Sequence, residues 1–434
     1  MRDIAFVLFM LLALLATVRR PFVGLLLWVL FSIMNPHEEI YHLSTVPWNF
    51  ILVIVTVGAW LLSSERKSPP RNITTVLIFA LLAWTTFNTF FAFNPEYSWI
   101  FWNRAWKIVA MAILAGILTT NTMRFHALMW VVAIALGYHG VKGGLFTLAS
   151  GGHYHVFGPA NSMIGDNNSL AGALVMVIPI MNYLRANSEM RAVRIGASAA
   201  IILVLTSVLG SYSRGAFIGL AVLGFAFWLR TKNKMMYPII ALIVLIPLLH
   251  FMPESFYHRA ASIQDYDADS SVTSRFDSWW VAYRYAMDHF PFGTGFYGMI
   301  LPGVWAPYIP GRSLAAHSIY FQTLGEQGVP GLVLYLLIIA SSFLNLQAVR
   351  RDTRGIAEFT ATYDLAGMLQ LSLLVFCVCG AALPINFFDL FFLWAMLSGS
   401  LREMTRKVQP ARAGIGPYMR QLAPVPQPLQ MPPA

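Results

Sequence analysis

The chain has 434 residues, 57% of them hydrophobic and 11% charged, with a formal net charge of +10. Soluble domains carry about 25% charged residues, so this composition excludes a water-soluble fold. Apolar runs recur from end to end and are continuous rather than alternating, which selects membrane helices over a β-barrel.

Two short runs open the chain, at 4–18 and 22–34, separated by Arg19-Arg20-Pro21. Each falls short of the about 20 residues that an upright crossing needs, so they read as thin, tilted or re-entrant. No small-residue cleavage site follows the first run, which reads as a retained helix. Runs follow at 48–62, 72–93, 101–118, 124–140, 170–184 and 195–209. They resume beyond a polar break at 210–215, and again at 236–250, 329–349, 363–383 and 387–401. The expectation is an all-α polytopic membrane protein of about 12–13 transmembrane helices. Four regions are expected: N-terminal transmembrane helices (1–250), a large polar insert (251–328), C-terminal transmembrane helices (329–403), and a Pro-rich disordered tail (404–434).

The positive charge is not spread evenly. Seven segments, around Arg19, Arg66, Arg124, Arg191, Lys232, Arg351 and beyond Leu401, hold 20 of the 29 Lys and Arg but 6 of the 19 acids. The rest carries 9 basic and 13 acidic residues. This is the positive-inside pattern, which places the seven segments in the cytoplasm and the insert outside. It also argues against nucleic acid as the partner of the basic charge.

Polar residues within the frame mark the candidate site. Trp99 and Trp102 read as interface anchors beside the loop 94–99. Arg104 and Lys107, three apart, share a helix face and either snorkel or meet an anionic lipid-linked headgroup. The Gly-rich segment 140–161 reads as an external loop, with Lys142 placed to meet phosphate and His153 and His155 as weak metal candidates. Asp166 either caps the next helix or faces substrate. Tyr212, Ser213 and Arg214 interrupt an apolar stretch. An Arg there costs roughly 2.5–3.5 kcal/mol on insertion scales, so it either faces a wet cavity or an anion, or sits at the external end of a tight helix hairpin and snorkels. Cys377 and Cys379 lie on different faces of an apolar run and read as packing.

Within the insert, Arg275 and Trp279 are four apart on one helix face, a guanidinium beside an indole that suits a phosphate next to a sugar or isoprenoid. The turn 291–296 (PFGTGF) offers backbone amides that could bind an anion. His317 heads a helix and could accept a proton from a sugar hydroxyl, with Ser318 beside it. Glu326 lies nine residues on and out of phase with His317. Asp265, Asp267 and Asp269 alternate and could hold a divalent cation, but their flexible polar surroundings favour a solvated loop. No Walker loop or dinucleotide fingerprint is present.

At these residues the chain resembles the O-antigen ligase family. The resemblance rests on Ser213-Arg214-Gly215, on Arg275 and Trp279 opening a helix, on Pro291, Gly293 and Gly295, and on His317 leading to Glu326, Gly328, Pro330 and Gly331. It covers the organisation of roughly residues 150–400. The opening, MRDIAFVLF to IMNPHE, is also similar to O-glycosylation ligases associated with exosortase systems. The resemblance implies a GT-C-like membrane glycosyltransferase, metal-independent and inverting, without cofactor. It would move a glycan from undecaprenyl pyrophosphate to lipid A-core oligosaccharide at the periplasmic face of the bacterial inner membrane. His317 would be the general base, and Arg214 and Arg275 would hold the diphosphate. Trp279, Lys142, Asp166, Arg104, Tyr212, Ser318, Glu326 and Asp389 complete the expected substrate-binding set, Asp389 as a late acid with a poor local match. The alternatives are an O-antigen polymerase, a ligase with a protein acceptor and, from a different class, a lipid-linked sugar transporter.

Overall fold

The structure is a computed structural model that describes residues 2–36, 46–160, 162–231, 234, 235, 239, 242, 246, 250, 252–254 and 270–413. Most of the helix expected at 236–250, the three alternating aspartates and the chain beyond Ala413 lie outside the described residues. All regular structure among the described residues is helical. In chain order the main helices are α1 (Arg2–Arg19), α2 (Pro21–Met34), α3 (Trp48–Leu62), α4 (Ile73–Phe90), α5 (Pro95–Leu118), α6 (Thr122–Ala149) and α7 (Asn167–Ala186). There follow α8 (Arg191–Gly210), α9 (Arg214–Arg230), α10 (Ser270–Asp288), α11 (Ile319–Thr353), α12 (Thr360–Gly380) and α13 (Asp389–Ala413).

The chain is a polytopic membrane protein. Among the described residues seven helices are long and apolar enough to cross a bilayer: α4 to α8, α11, and α12 with the turn that leads into it. The expected count of 12–13 included shorter runs. α2 and α3 have 14 and 15 residues, and at 1.5 Å per residue neither spans a core of about 30 Å upright.

Three elements depart from the sequence reading. α5 begins at Pro95, because Asn94 caps it by accepting the Tyr97 N–H (3.1 Å) and proline suits the first helical position. Trp99 and Trp102 therefore sit on the helix. α6 continues to Ala149, so most of the Gly-rich stretch after Gly140 is helix rather than loop. Its glycines form a packing seam against α8: a Cβ at Gly144 would lie 2.2 Å from the Leu203 carbonyl oxygen, and one at Gly143 2.4 Å from Ser207 Oγ. Small residues at this spacing let two membrane helices touch backbones. α13 runs past 403 to Ala413.

The core sits around α7 and the first turns of α13. α7 is apolar all round, and Leu170 to Leu184 is buried almost without interruption. From Leu390 to Leu397 every side chain of α13 is also buried. Lipid-facing positions such as Leu12, Ile100, Ile218 and Leu344 remain apolar and exposed on the outside of the bundle. The insert carries a small core of its own, in which Val281, Ala282, Tyr285, Met299, Val304 and Trp305 pack together.

Candidate active site

The site is assembled where α7, α9, α10 and α11 begin and α12 ends. His317 precedes α11 and takes φ +46°, a left-handed conformation unusual for a residue with a Cβ. Such geometry costs on the order of 1–3 kcal/mol and persists only where neighbours over-determine it. Here they do. The N–H of Ala316 donates to Gln322 Oε1 (2.9 Å), and its carbonyl accepts the Trp279 indole N–H (2.7 Å). The Trp279 ring stacks on Phe321 at 4.9 Å and 8°. Gln322 donates in turn to Glu326 Oε1, which also accepts the Tyr297 N–H (3.0 Å). Ser318 is the buried N-cap of α11, and its backbone carbonyl accepts the Gln322 N–H at 2.7 Å.

Arg214 is the first residue of α9, behind its cap Ser213. It shares a polar notch of about 60 Å³ with Arg275 of α10 and with Asn168, at the start of α7. The notch therefore gathers two guanidinium groups and the N-terminal ends of two helices, and each helix start adds partial positive charge. Asn167 donates to the Ser211 carbonyl (2.8 Å) and ties the two helix starts together. Asp166 caps α7, its Oδ1 accepting the N–H of Asn168 (2.9 Å) and Ser169 (3.0 Å).

The notch and the histidine feel each other. Protein crowding around His317 pushes its pKa below the ordinary imidazole value, the positive charge of Arg275 pushes the same way, and Asp166 opposes both. The ring nevertheless retains solvent exposure. A neutral imidazole at neutral pH that can reach solvent has the protonation state a general base needs.

The PFGTGF turn does not hold an anion with its amides, because the protein consumes them. Gly293 N–H donates to Asn88 Oδ1 (2.9 Å), Thr294 N–H to the Gly325 carbonyl (2.8 Å), Gly295 N–H to the Glu326 carbonyl (2.9 Å), and Phe296 N–H to Ser98 Oγ (2.9 Å). The glycines serve close approach: a Cβ at Gly293 would lie 2.4 Å from the Glu326 carbonyl group. Opposite, Gly328 kinks α11 with φ +67°, and a Cβ there would lie 2.1 Å from the Pro291 oxygen. Glu326, 2% exposed, is thus the post that fixes the turn to the helix under His317.

The remaining candidates lie around this centre. Tyr212, with φ +58°, is buried, and its hydroxyl donates to the Gly152 carbonyl (2.6 Å). Lys142, on α6 beside Tyr138, lines a separate cavity of about 480 Å³ with His139 and His155. Arg104 lies between two cavities, of about 90 and 300 Å³. Asp389 is buried at the wall of the larger one, where its Oδ1 accepts the Ser32 hydroxyl (2.6 Å).

Residues 198–336, which contain Arg214, Arg275, His317 and Glu326, match the family model described as O-Antigen ligase. The chain thus carries an O-antigen ligase family domain over these residues. Residues 1–189 match a second model, described as a family of unknown function (DUF5935). No curated protein matches the chain. The ligase-family domain supports a ligase role in polysaccharide-type glycan transfer, with lipid-linked glycan and lipid A-core type partners in a membrane. Around this site, the residues that sequence reasoning missed are amides and a hydroxyl: Gln322, Asn88 and Ser98. Each is polar within an apolar helix, and that cost in lipid was the signal available.

Proposed function

We propose that the chain transfers a glycan from undecaprenyl diphosphate to a hydroxyl of lipid A-core oligosaccharide, at the periplasmic face of the inner membrane, without a metal. The observation that carries this reading is the shared notch of Arg214 and Arg275, with His317 inside the field of Arg275. His317 takes the proton of the acceptor hydroxyl as that oxygen attacks the anomeric carbon. The new C–O bond forms on the face opposite the leaving group, and the anomeric configuration inverts. The old anomeric C–O bond breaks, and its electron pair leaves with the diphosphate. Arg214, Arg275 and the starts of α7 and α9 offset the charge that develops there, the role that a divalent cation fills in other transferases. Trp279, Gln322 and Glu326 hold the His317 backbone in place rather than touch the sugar.

The test is transfer by the full-length protein, reconstituted with purified donor and acceptor. His317→Ala inserts into membranes normally and loses about 10²–10⁴-fold in transfer, the range of general base catalysis. Chelator leaves the wild-type rate unchanged. Transfer at the wild-type rate by His317→Ala would remove the base assignment. A loss in chelator that magnesium restores would replace the arginine clamp with a metal.

A further inference from the structure

A larger cavity opens at the same end of the bundle as the arginine notch and shares no lining residue with it. Its volume is about 300 Å³, and α2, α3, α5 and α13 wall it together with the segment 162–164. This is the lower end of the range for small-molecule sites, about 300–1,000 Å³. The polar lining includes Ser32, Asn35, Asn49, Arg104, Lys107, Ser162 and Asp389. None of these residues falls in the 198–336 segment, and all but Asp389 belong to the region whose family has no known function.

The charges do not cancel. Arg104 and Lys107 project from one face of α5. The lining carboxylate, Asp389, is already held by the Ser32 hydroxyl and is 6% exposed. Among the described residues neither cation forms an ion pair. Lys107 Nζ lies 5.7 Å from the Phe50 ring centre, and Trp48 joins the same wall. Asn49 carries a buried amide oxygen with no hydrogen-bond partner among the described residues. Two cations facing one occupied carboxylate, with amides, a hydroxyl and aromatic rings around them, suit a sugar that bears a negative charge.

The cavity also leads toward the chemistry. Arg104, Ile108 and Met163 line it and the adjoining 90 Å³ cavity alike, and the latter reaches Ala315, Gln322 and Glu326, under the His317 loop. We propose that this cavity seats an anionic sugar, a carboxylate- or phosphate-bearing residue of the acceptor, with Arg104 and Lys107 as its charge partners. Naming it the acceptor site rests on the glycan-transfer reading above. The ligase then holds two anions in separate places, the donor diphosphate at Arg214 and Arg275 and the acceptor charge at Arg104 and Lys107.

The experiment measures binding, not turnover. Full-length protein in phosphatidylcholine nanodiscs is titrated with three short-chain synthetic glycolipids whose sugars are glucose, glucuronic acid and glucose 6-phosphate. At least one anionic probe binds about tenfold tighter than the neutral one. The preference falls to within about twofold in Arg104→Gln/Lys107→Gln and survives in Arg104→Lys. Undecaprenyl diphosphate, titrated alongside, binds the double variant as it binds wild type, which shows that the variant is folded. Equal binding of all three lipids to wild type, or a preference that persists in the double variant, overturns the assignment. If the preference behaves as expected but no transfer occurs in reconstitution, the glycan-transfer reading falls and the anionic-sugar site stands.

Discussion

The two ends of the helix bundle set their cations in different surroundings. At the end away from the insert, arginines are matched to fixed acceptors. Arg66 meets both carboxylate oxygens of Glu403 (2.9 and 3.1 Å), Arg124 pairs with Glu65 (2.5 Å), and Arg402 pairs with Asp352. Arg230 donates to the Gly367 carbonyl (2.6 Å), and Arg350 to Gln370 (2.9 Å) and Tyr363 (3.0 Å). At the insert end Arg104, Lys107, Lys142, Arg214 and Arg275 all line cavities. At one end these arginines meet carboxylates, a carbonyl and polar side chains of the helix bundle. At the other these five cations border open space, while Arg284 and Arg312 of the insert pair with Asp288 and Asp277.

That contrast can be broken by experiment. The largest effect is expected at the notch: Arg214→Gln or Arg275→Gln lowers kcat by about 10²–10³-fold, as removal of a transition-state charge partner does. Steady-state assays with saturating donor measure it, and a fall confined to KM would make the arginines ground-state binders only. Trp279→Phe keeps the stack on Phe321 but removes the donor to Ala316, and about a tenfold loss of kcat is expected from a base no longer held in register. A shift of KM alone would show that the indole serves binding instead.

The pH profile sharpens the comparison further. With the His317 pKa lowered, the acidic limb of kcat/KM lies below 6.5. Asp166 raises that pKa, so Asp166→Asn, which keeps a good helix cap, moves the limb to lower pH. Arg275 lowers it, so in the residual activity of Arg275→Gln the limb moves up. Limbs that stay put in both variants would mean that another group titrates. The smallest effect belongs to the other end. Arg66→Ala breaks a partly exposed pair worth about 0–1 kcal/mol and leaves transfer within about twofold. A loss at Arg66 as deep as at Arg214 would erase the distinction between the two ends.

Much of this arrangement could be read before the fold was known, because membrane physics is strict. An Arg in an apolar stretch and a His at a helix head are costly or conspicuous, and Arg214 and His317 stood out for that reason. Helix ends were less legible. Asn94-Pro95 reads equally as a turn or as a cap followed by a first helical residue, and the cap wins. The glycines of α6 looked like loop because glycine signals turns. Their i, i+3, i+4 spacing marks a single face, and that face lies against α8. The contacts that hold the His317 loop were hidden more deeply. The Ala316–Gln322 bond closes over six residues at the head of α11, but no periodicity announces it. Asn88 and Gly293 are 205 residues apart, and their bond exists only once α4 and the turn have come together.

The stretch between Tyr297 and Ala316 is tethered at each end, by Glu326 on one side and by Gln322 and Trp279 on the other. Both tethers grip main-chain groups, and between them Met299, Val304 and Trp305 anchor the stretch in the insert's own core. A change of side chain at Tyr297 or Ala316 therefore leaves these anchors standing, and the backbone beside His317 keeps its course whatever residues flank it.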